Sequence, residues 1–537
     1  MMRLVVAACV FILLSVSAFA ERILLVPLDS RPAAGQFAQM IANMASVKVY
    51  QPVYETLGRF TIPGSPDEIL SWLEKQDYHD VTAVIASADM IAYGGLIASR
   101  TDGTPKAVAI ARLKRLAAIR AAHPSVKFYV FSAIMRLVPT ATNKTASWRL
   151  QLGRYMELQS RYKVEKDPAF LTEMARMKRQ IPAGEIERYD RIRVRNLEVN
   201  AGLIRMLAAG QFDYVAFGQD DARPYGPHVW ETVRLKEIAA EENVENRSYF
   251  CEGIDQHSNV LLSRALLEQN NWHPVIRVVY SDPQKSGVYA AFESKTIDKS
   301  LTDQIVASGA TPAAEGQSFD FSLYVNVPNR REESFNLFAM SLESDIDQGF
   351  PVAVADINLA KDGTADPELF KLLSANDRMV KILSFAGWNT AGNTMGTSIP
   401  AANVYLLSRR LMADPLEREL ARREFLLHRF VNDYAYHKFT RPLAYSMIDA
   451  SHNGSREETY GSAFASVDRF VREDVKKYLE YYWEHEFEGK SFFAGPQQYR
   501  LIGVDNVRVF LPWPRAYEVR LEFKLRAEPV TSASSGR

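Results

Sequence analysis

The chain has 537 residues, 47% hydrophobic and 24% charged, with Lys+Arg and Asp+Glu both at 64. This composition excludes extensive disorder, and the length suits two or three domains around a sizeable core. The balanced charge gives no electrostatic reason to expect nucleic acid or an anionic membrane surface as partner.

Residues 1–20 read as a cleavable signal peptide: Arg3, then the apolar run LVVAACVFILLSVSAFA, closing on the small-x-small pattern Ala18-Phe19-Ala20. Cleavage after Ala20 implies a periplasmic or secreted protein, and the run is too short for a stable membrane span. One cysteine, Cys251, then remains, which forbids an internal disulfide and reads as a buried packing thiol.

From residue 22 to about 401 apolar runs alternate with helical patterns, the signature of a parallel α/β sheet. The runs lack polar alternation, as strands covered on both faces do. Helices are predicted over 35–44, 65–75, 106–122 and 259–269. A strand-free, charged stretch over 139–210 reads as a helical insertion ending in an amphipathic helix over 185–207, and its basic run through Arg193 and Arg195 reads as a solvated face. After Pro400 the pattern turns helical to about 485 and ends in a small β unit over 499–526. This divides the chain into a leader (1–20), a catalytic core (22–401) and a C-terminal helical and small β domain (402–530). No internal repeat of fixed period is visible. The expected architecture is a TIM-barrel-like parallel (β/α) core, the alternative being two consecutive open α/β domains that meet near residue 245.

In parallel α/β folds ligands sit at the carboxyl ends of the strands. There the sequence places an acidic, amide-rich set: Asp29 and Arg31 in PLDSRP, Asp89 in IASADM, Asp220 and Asp221 in FGQDDARPYG, Asp255, Asp282, and Trp388, Asn389 and Asn393 in GWNTAGNTMG. Two neighbouring carboxylates split their proton affinities, so one serves as acid while the other stays ionised. Asp220 and Asp221 are therefore the expected catalytic pair of a glycoside hydrolase. Asp29, Arg31, Asp89, Arg100, Arg223, Tyr225, Asp255, Asn389 and Asn393 are expected to bind hydroxyls, and Trp388 to stack on a sugar ring. Two other readings stay open: a carbohydrate-binding protein without turnover, and a metal-dependent ester or phosphoester hydrolase using Asp220, Asp255 and Asp282. There is no GxGxxG, Walker loop, HExxH or CxxC, so no cofactor and no metal site is assigned.

The motifs LLVPLDSRP (24–32), GGLIASR (94–100), GQDDARPYG (218–226) and GWNTAGNTMG (387–396) resemble those of a bacterial family catalogued as domain of unknown function 4127. The resemblance runs over nearly the whole mature chain and implies little about activity. Where relatives are similar to GxDE, this chain has Gly253-Ile254-Asp255-Gln256. That leaves Asp255 as the acid of the motif and puts a role for Gln256 in doubt. The expected activity is that of an exported hydrolase of an oligosaccharide or a cell-wall amino sugar.

Overall fold

The computed structural model describes residues 21–360, 363–411, 413–451 and 454–530. The signal-peptide expectation for residues 1–20 lies outside the described residues, as do residues 531–537.

Strands β1 (Arg22–Val26), β2 (Lys48–Tyr50), β3 (Val81–Ser87), β4 (Lys127–Ile134), β5 (Tyr214–Gln219) and β6 (Ser248–Glu252) form one parallel sheet in the order β2-β1-β3-β4-β5-β6. Strands β7 (Val275–Tyr280), β8 (Thr311–Pro312), β9 (Phe321–Asn326), β10 (Val352–Asp356) and β11 (Ser384–Ala386) form a second parallel sheet, ordered β8-β7-β9-β10-β11. Numbered within itself, each sheet begins 2-1-3-4-5, the doubly wound order in which the winding reverses between the first and third strands.

The α/β class and parallel strands are as the sequence predicts, but a single barrel is not what the strands form. Closing a ring requires β6 to pair onward with β7. Among the described residues β6 pairs only with β5, and both partners of β7 lie within its own sheet. The architecture is the two-sheet alternative, with the change between residues 252 and 275.

The core explains the uninterrupted apolar runs. Alternate residues of sheet one enter different clusters: Ile23, Leu25, Ile85 and Phe131 on one face, Leu24, Val26, Val84 and Val130 on the other. The first cluster continues into Phe321, Leu323 and Val325 of sheet two, through residues of the helices Pro32–Asn43, His257–Gln269 and Ala391–Arg410. One face of each sheet thus shares a helical layer. The opposite face of sheet two, with Tyr324, Val354 and Phe385, packs against Leu426, Phe430 and Val471 of the C-terminal helices. Strands β1, β3, β4, β5, β9 and β10 are buried along nearly their whole length, so neither face selects polar residues.

The C-terminal region holds the helices Pro415–Arg429, Arg441–Ala450 and Gly461–Tyr482, a π-helical segment Phe430–Thr440, and an antiparallel sheet of β12 (Ser491–Ala494), β13 (Gln497–Phe510) and β14 (Arg520–Pro529). The expected boundary at 401/402 falls inside the helix Ala391–Arg410, because Pro400 costs one backbone bond there without ending the helix.

Residues 139–210 carry three helices, Arg149–Glu165, Ala169–Lys178 and Glu185–Ala208, and no strand, as the sequence suggests. Two of its basic residues depart from the solvated face expected of them. Arg193 is 3% exposed and pairs with Glu231 at 2.6 Å. Arg195 donates to the backbone carbonyls of Ser99, Thr101 and Thr104. Both pin the insertion to sheet one.

Candidate functional site

A cavity of about 570 Å³ opens at the carboxyl ends of the strands of sheet one, within the usual size for small-ligand sites. Its wall is assembled from four parts of the chain. Turns after β1, β4, β5 and β6 supply Arg31, Arg136, Asp220, Asp221 and Asp255. The insertion adds Arg149, the turn after β11 adds Asn389 and Asn393, and the C-terminal region adds Arg441, Tyr445, Arg515 and Tyr517.

The first turn is set by its own side chain. Asp29 Oδ1 accepts the Arg31 N–H at 3.0 Å, and Pro32 then opens the following helix, where its missing N–H and fixed φ are tolerated. The Arg31 guanidinium donates to Asp29 at 2.7 Å and to Asp255 at 2.7 and 3.0 Å. It also lies 4.8 Å from the Trp513 ring. Burial opposes its charge, but Asp255 and Asp29 outweigh that and hold its pKa well above the usual arginine range.

After β3 the chain passes Gly94 (φ +92°) and Gly95 (φ +116°), a conformation that side-chain-bearing residues rarely adopt. A Cβ on Gly95 would stand 3.2 Å from the Leu28 carbonyl, so the turn needs glycine for space as well. This turn delivers Arg100, which donates to Asp220 and, at 2.9 Å, to Thr140. Asp89 does not line the cavity. It is buried behind the wall, accepts the Ala133 N–H at 2.8 Å, and is pushed up to about 6 by burial, with Arg100 opposing and Asp220 adding.

Asp220 and Asp221 follow β5 and diverge. Asp220 pairs with Arg100, and Asp221 pairs with Arg136, which stands two residues beyond β4. Burial raises the Asp220 pKa, Arg100 and Arg136 oppose that, and Asp221 and Asp255 add to it. Asp221 has φ +22°, a strained value for a residue other than glycine. Strain of this kind clusters at functional sites, where surrounding contacts enforce it.

The turn after β6 meets sheet two. Gly253 has φ +76°, and a Cβ there would lie 2.7 Å from Asn393 Oδ1. That oxygen is buried and has no hydrogen-bond partner among the described residues. Asn389 accepts a 2.6 Å bond from the Tyr517 hydroxyl, which joins sheet two to the C-terminal region. Trp513 lies in the wall at 1% exposure and donates its indole N–H to Ser30 at 2.9 Å.

Of the residues singled out from the sequence, Arg31, Arg100, Asp220, Asp221, Arg223, Asp255, Asn389 and Asn393 line this cavity, and Asp29 touches it through Arg31. Trp388 does not. It is packed with Ala33, Phe37 and Ala386, because the run it ends is a buried strand. Tyr225 also stays outside the wall, 5.4 Å from the Arg161 guanidinium. Asp282 sits at the end of β7 with its carboxylate fully buried against Arg331 at 2.8 Å, so Asp220, Asp255 and Asp282 do not converge. Among the described residues no group of three or more His, Cys, Asp or Glu side chains is placed to hold a metal ion.

The expected acidic mouth is in fact rich in arginine. Among the described residues, eight arginines line the cavity against Asp220, Asp221, Asp255 and Glu457. Arg136 obeys the same strand-end rule that points to Asp89, but it stands outside every motif that marks the other strand ends in the sequence. Trp513, Arg515 and Tyr517 follow the long antiparallel strand β13 far down the chain, and no local pattern ties them to β1.

A family model matches residues 23–522, under the description "Protein of unknown function (DUF4127)". The chain belongs to this family. A search of the curated proteins finds no match to this DUF4127 chain. Among solved structures it is similar to the complete multifunctional pyruvate carboxylase from Rhizobium etli, at 8% identity and TM-score 0.17, over 95% of this chain and 52% of that one. A substituted form of the Rhizobium etli enzyme with the allosteric activator acetyl coenzyme-A matches at 10% identity and TM-score 0.17, over 96% and 47%. The DUF4127 chain spans about half the length of these enzymes, and likenesses so slight carry no argument. No helix of the described residues is long and apolar enough to cross a membrane.

Proposed function

We propose that this DUF4127 chain is an exported glycoside hydrolase, acting on an oligosaccharide or a cell-wall amino sugar. The observation that carries the reading is the pair Asp220 and Asp221 at the end of β5, both in the cavity wall. Both pair with an arginine, Asp220 with Arg100 and Asp221 with Arg136, but the Asp220 side chain is 10% exposed and burial raises its pKa, whereas the Asp221 side chain is 24% exposed. Unequal surroundings of this kind suit a carboxyl that gives a proton beside one that stays ionised. Asp220 is assigned as the general acid, and Asp221 as the carboxylate that orients the substrate or steadies positive charge at the sugar. Amide and phenol groups of Asn389, Asn393, Tyr445 and Tyr517 are available to sugar hydroxyls. Export is part of the same proposal and rests on the sequence of residues 1–20 alone.

The test is a panel of oligosaccharides and peptidoglycan fragments, assayed with the wild type, Asp220→Asn and Asp221→Asn. On a substrate that the wild type cleaves, Asp220→Asn is expected to lose a factor of about 10²–10⁴ in turnover while circular dichroism stays unchanged. Full turnover in both variants would end the assignment.

One observation favours a second reading, binding without turnover. Three of the four acids in the wall are tied to a guanidinium: Asp220 to Arg100, Asp221 to Arg136, Asp255 to Arg31. A glycan that binds tightly and is recovered intact would support that reading against hydrolysis.

A further inference from the structure

The cavity wall holds more guanidinium than the known pairings of its own carboxylates use. Among the described residues eight arginines face Asp220, Asp221, Asp255 and Glu457. Three of the eight find their carboxylate outside the wall: Arg223 on Glu157, Arg456 on Asp449 and Arg515 on Glu518. Those contacts fix the arginines without filling the cavity with acid. Arg149, in the first turn of the insertion's helix Arg149–Glu165, has no ion pair and no side-chain hydrogen bond among the described residues. The charged groups that face it are Arg136, a like charge, and Glu457. Arg136 spends its contact on Asp221, and among the described residues neither its Nε nor Arg100 Nε has a hydrogen-bond partner. A half-buried cation beside another cation is unfavourable unless something anionic joins them.

We infer that the ligand of this cavity is an acidic saccharide, whose carboxylate or phosphate is held between Arg136 and Arg149. Guanidinium is the side chain suited to this task, since its planar fork matches two oxyanion oxygens at once. A neutral sugar offers only hydroxyls, which give no reason to gather so many arginines or to leave one unpaired. The anion sits on the insertion side of the cavity, and the sugar extends toward Asp220 and the amides of Asn389 and Asn393. This inference rests on the reading of the cavity as the saccharide site, and it adds the charge of the substrate.

The experiment is calorimetric titration of the full protein with inorganic phosphate, D-glucuronate, glucose 6-phosphate and glucose, in low and high sodium chloride. At least one of the anionic probes is expected to bind and glucose to bind at least about tenfold more weakly, with affinity falling as salt rises. The carboxylate and phosphate probes tell the two anion sources apart. Arg149→Met is expected to weaken anion binding at least about tenfold at an unchanged melting temperature, and Arg149→Lys, which keeps the charge and loses the fork, to fall between. Should Arg149→Met fold poorly, Arg149→Lys and the salt series decide. Glucose binding as well as the anions, no anion binding at all, or intact binding in the Arg149 variants would each overturn the inference. Its failure is separate from that of hydrolysis. Anion binding retained in Asp220→Asn with no glycan cleaved by the wild type would sink the hydrolase alone, and cleavage confined to neutral glycans would sink the anion alone.

Discussion

Arg31 and Asp255, 224 positions apart in sequence, are joined by two hydrogen bonds of 2.7 and 3.0 Å. Through them the first and last strands of sheet one in chain order share a single guanidinium, which also binds Asp29. The pair turns two separate strand ends into one wall.

Replacing Arg31 with Met removes the cation and leaves two largely buried carboxylates facing each other. Breaking a buried pair in this way costs about 3–5 kcal/mol. Urea unfolding of Arg31→Met is expected to show a loss of that order. Asp255→Asn is expected to lose clearly less, because Arg31 keeps Asp29. Equal losses in the two variants would contradict the shared-guanidinium account.

A second expectation concerns pH. Glu293 is buried, and its carboxyl is pushed up to about 8, first by burial and then by Glu252, with the Gly392 N–H opposing. In the folded state it holds its proton from its ordinary 4.5 up to about 8, where the unfolded chain has lost it. Its contribution to stability is therefore full at low pH and declines as pH rises through that window, by at most about 1.4 kcal/mol per pH unit. Buried His228 and His257, lowered to about 3 and about 4, act in the opposite sense up to their ordinary 6.5. Between pH 6.5 and 8 these histidines no longer oppose it, and buried Asp356, raised to about 7, weighs equally on the wild type and the variant. Glu293→Gln keeps an oxygen for the Gly392 N–H and is expected to gain on the wild type as pH rises across that window. Parallel stability curves for the two proteins would refute it.

Gly253 joins the two sheets at the cavity, and Gly253→Ala tests that junction. An alanine there combines the strain of φ +76° with a clash against Asn393 and Gln256. The expected loss is about 1–3 kcal/mol of stability. A stronger effect on ligand binding than on stability is also expected, because Asn393 is displaced from the wall. Crystallography or amide exchange at residues 389–393 would read the displacement.

Much of the fold was legible in the sequence because strand ends carry their own punctuation. Strand β5 and the Asp220-Asp221 pair, the helix Lys106–Ala122 and the strand-free insertion all follow from local patterns. The choice between one ring and two sheets was not local, since it depends on whether β6 pairs with β7 or, as here, is covered by Lys295 and by Gln304 of the helix Ile297–Ala307. The arginines were hidden for a similar reason. Arg136, Arg149 and Arg515 look like ordinary surface charge until the chain brings β4, the insertion and the C-terminal strands to one place. Trp388 shows the converse, since its Asn- and Gly-rich neighbours suggest a binding loop while the ring packs into a core with Phe37. The repeated strand order is invisible to sequence periodicity because the connections differ in length.

The two sheets wind alike, yet they are put to unequal use. At the turning point of sheet one, between β1 and β3, the backbone leads into the cavity. At the strand ends of sheet two the side chains bind one another: Asp282 is locked by Arg331, and Asn326 donates to Asp356 at 2.9 Å. The cavity opens on one half of the molecule, and the other half lends it Asn389 and Asn393. Losing the Asp282–Arg331 pair would therefore reach the cavity only indirectly, through the frame that carries Asn389 and Asn393.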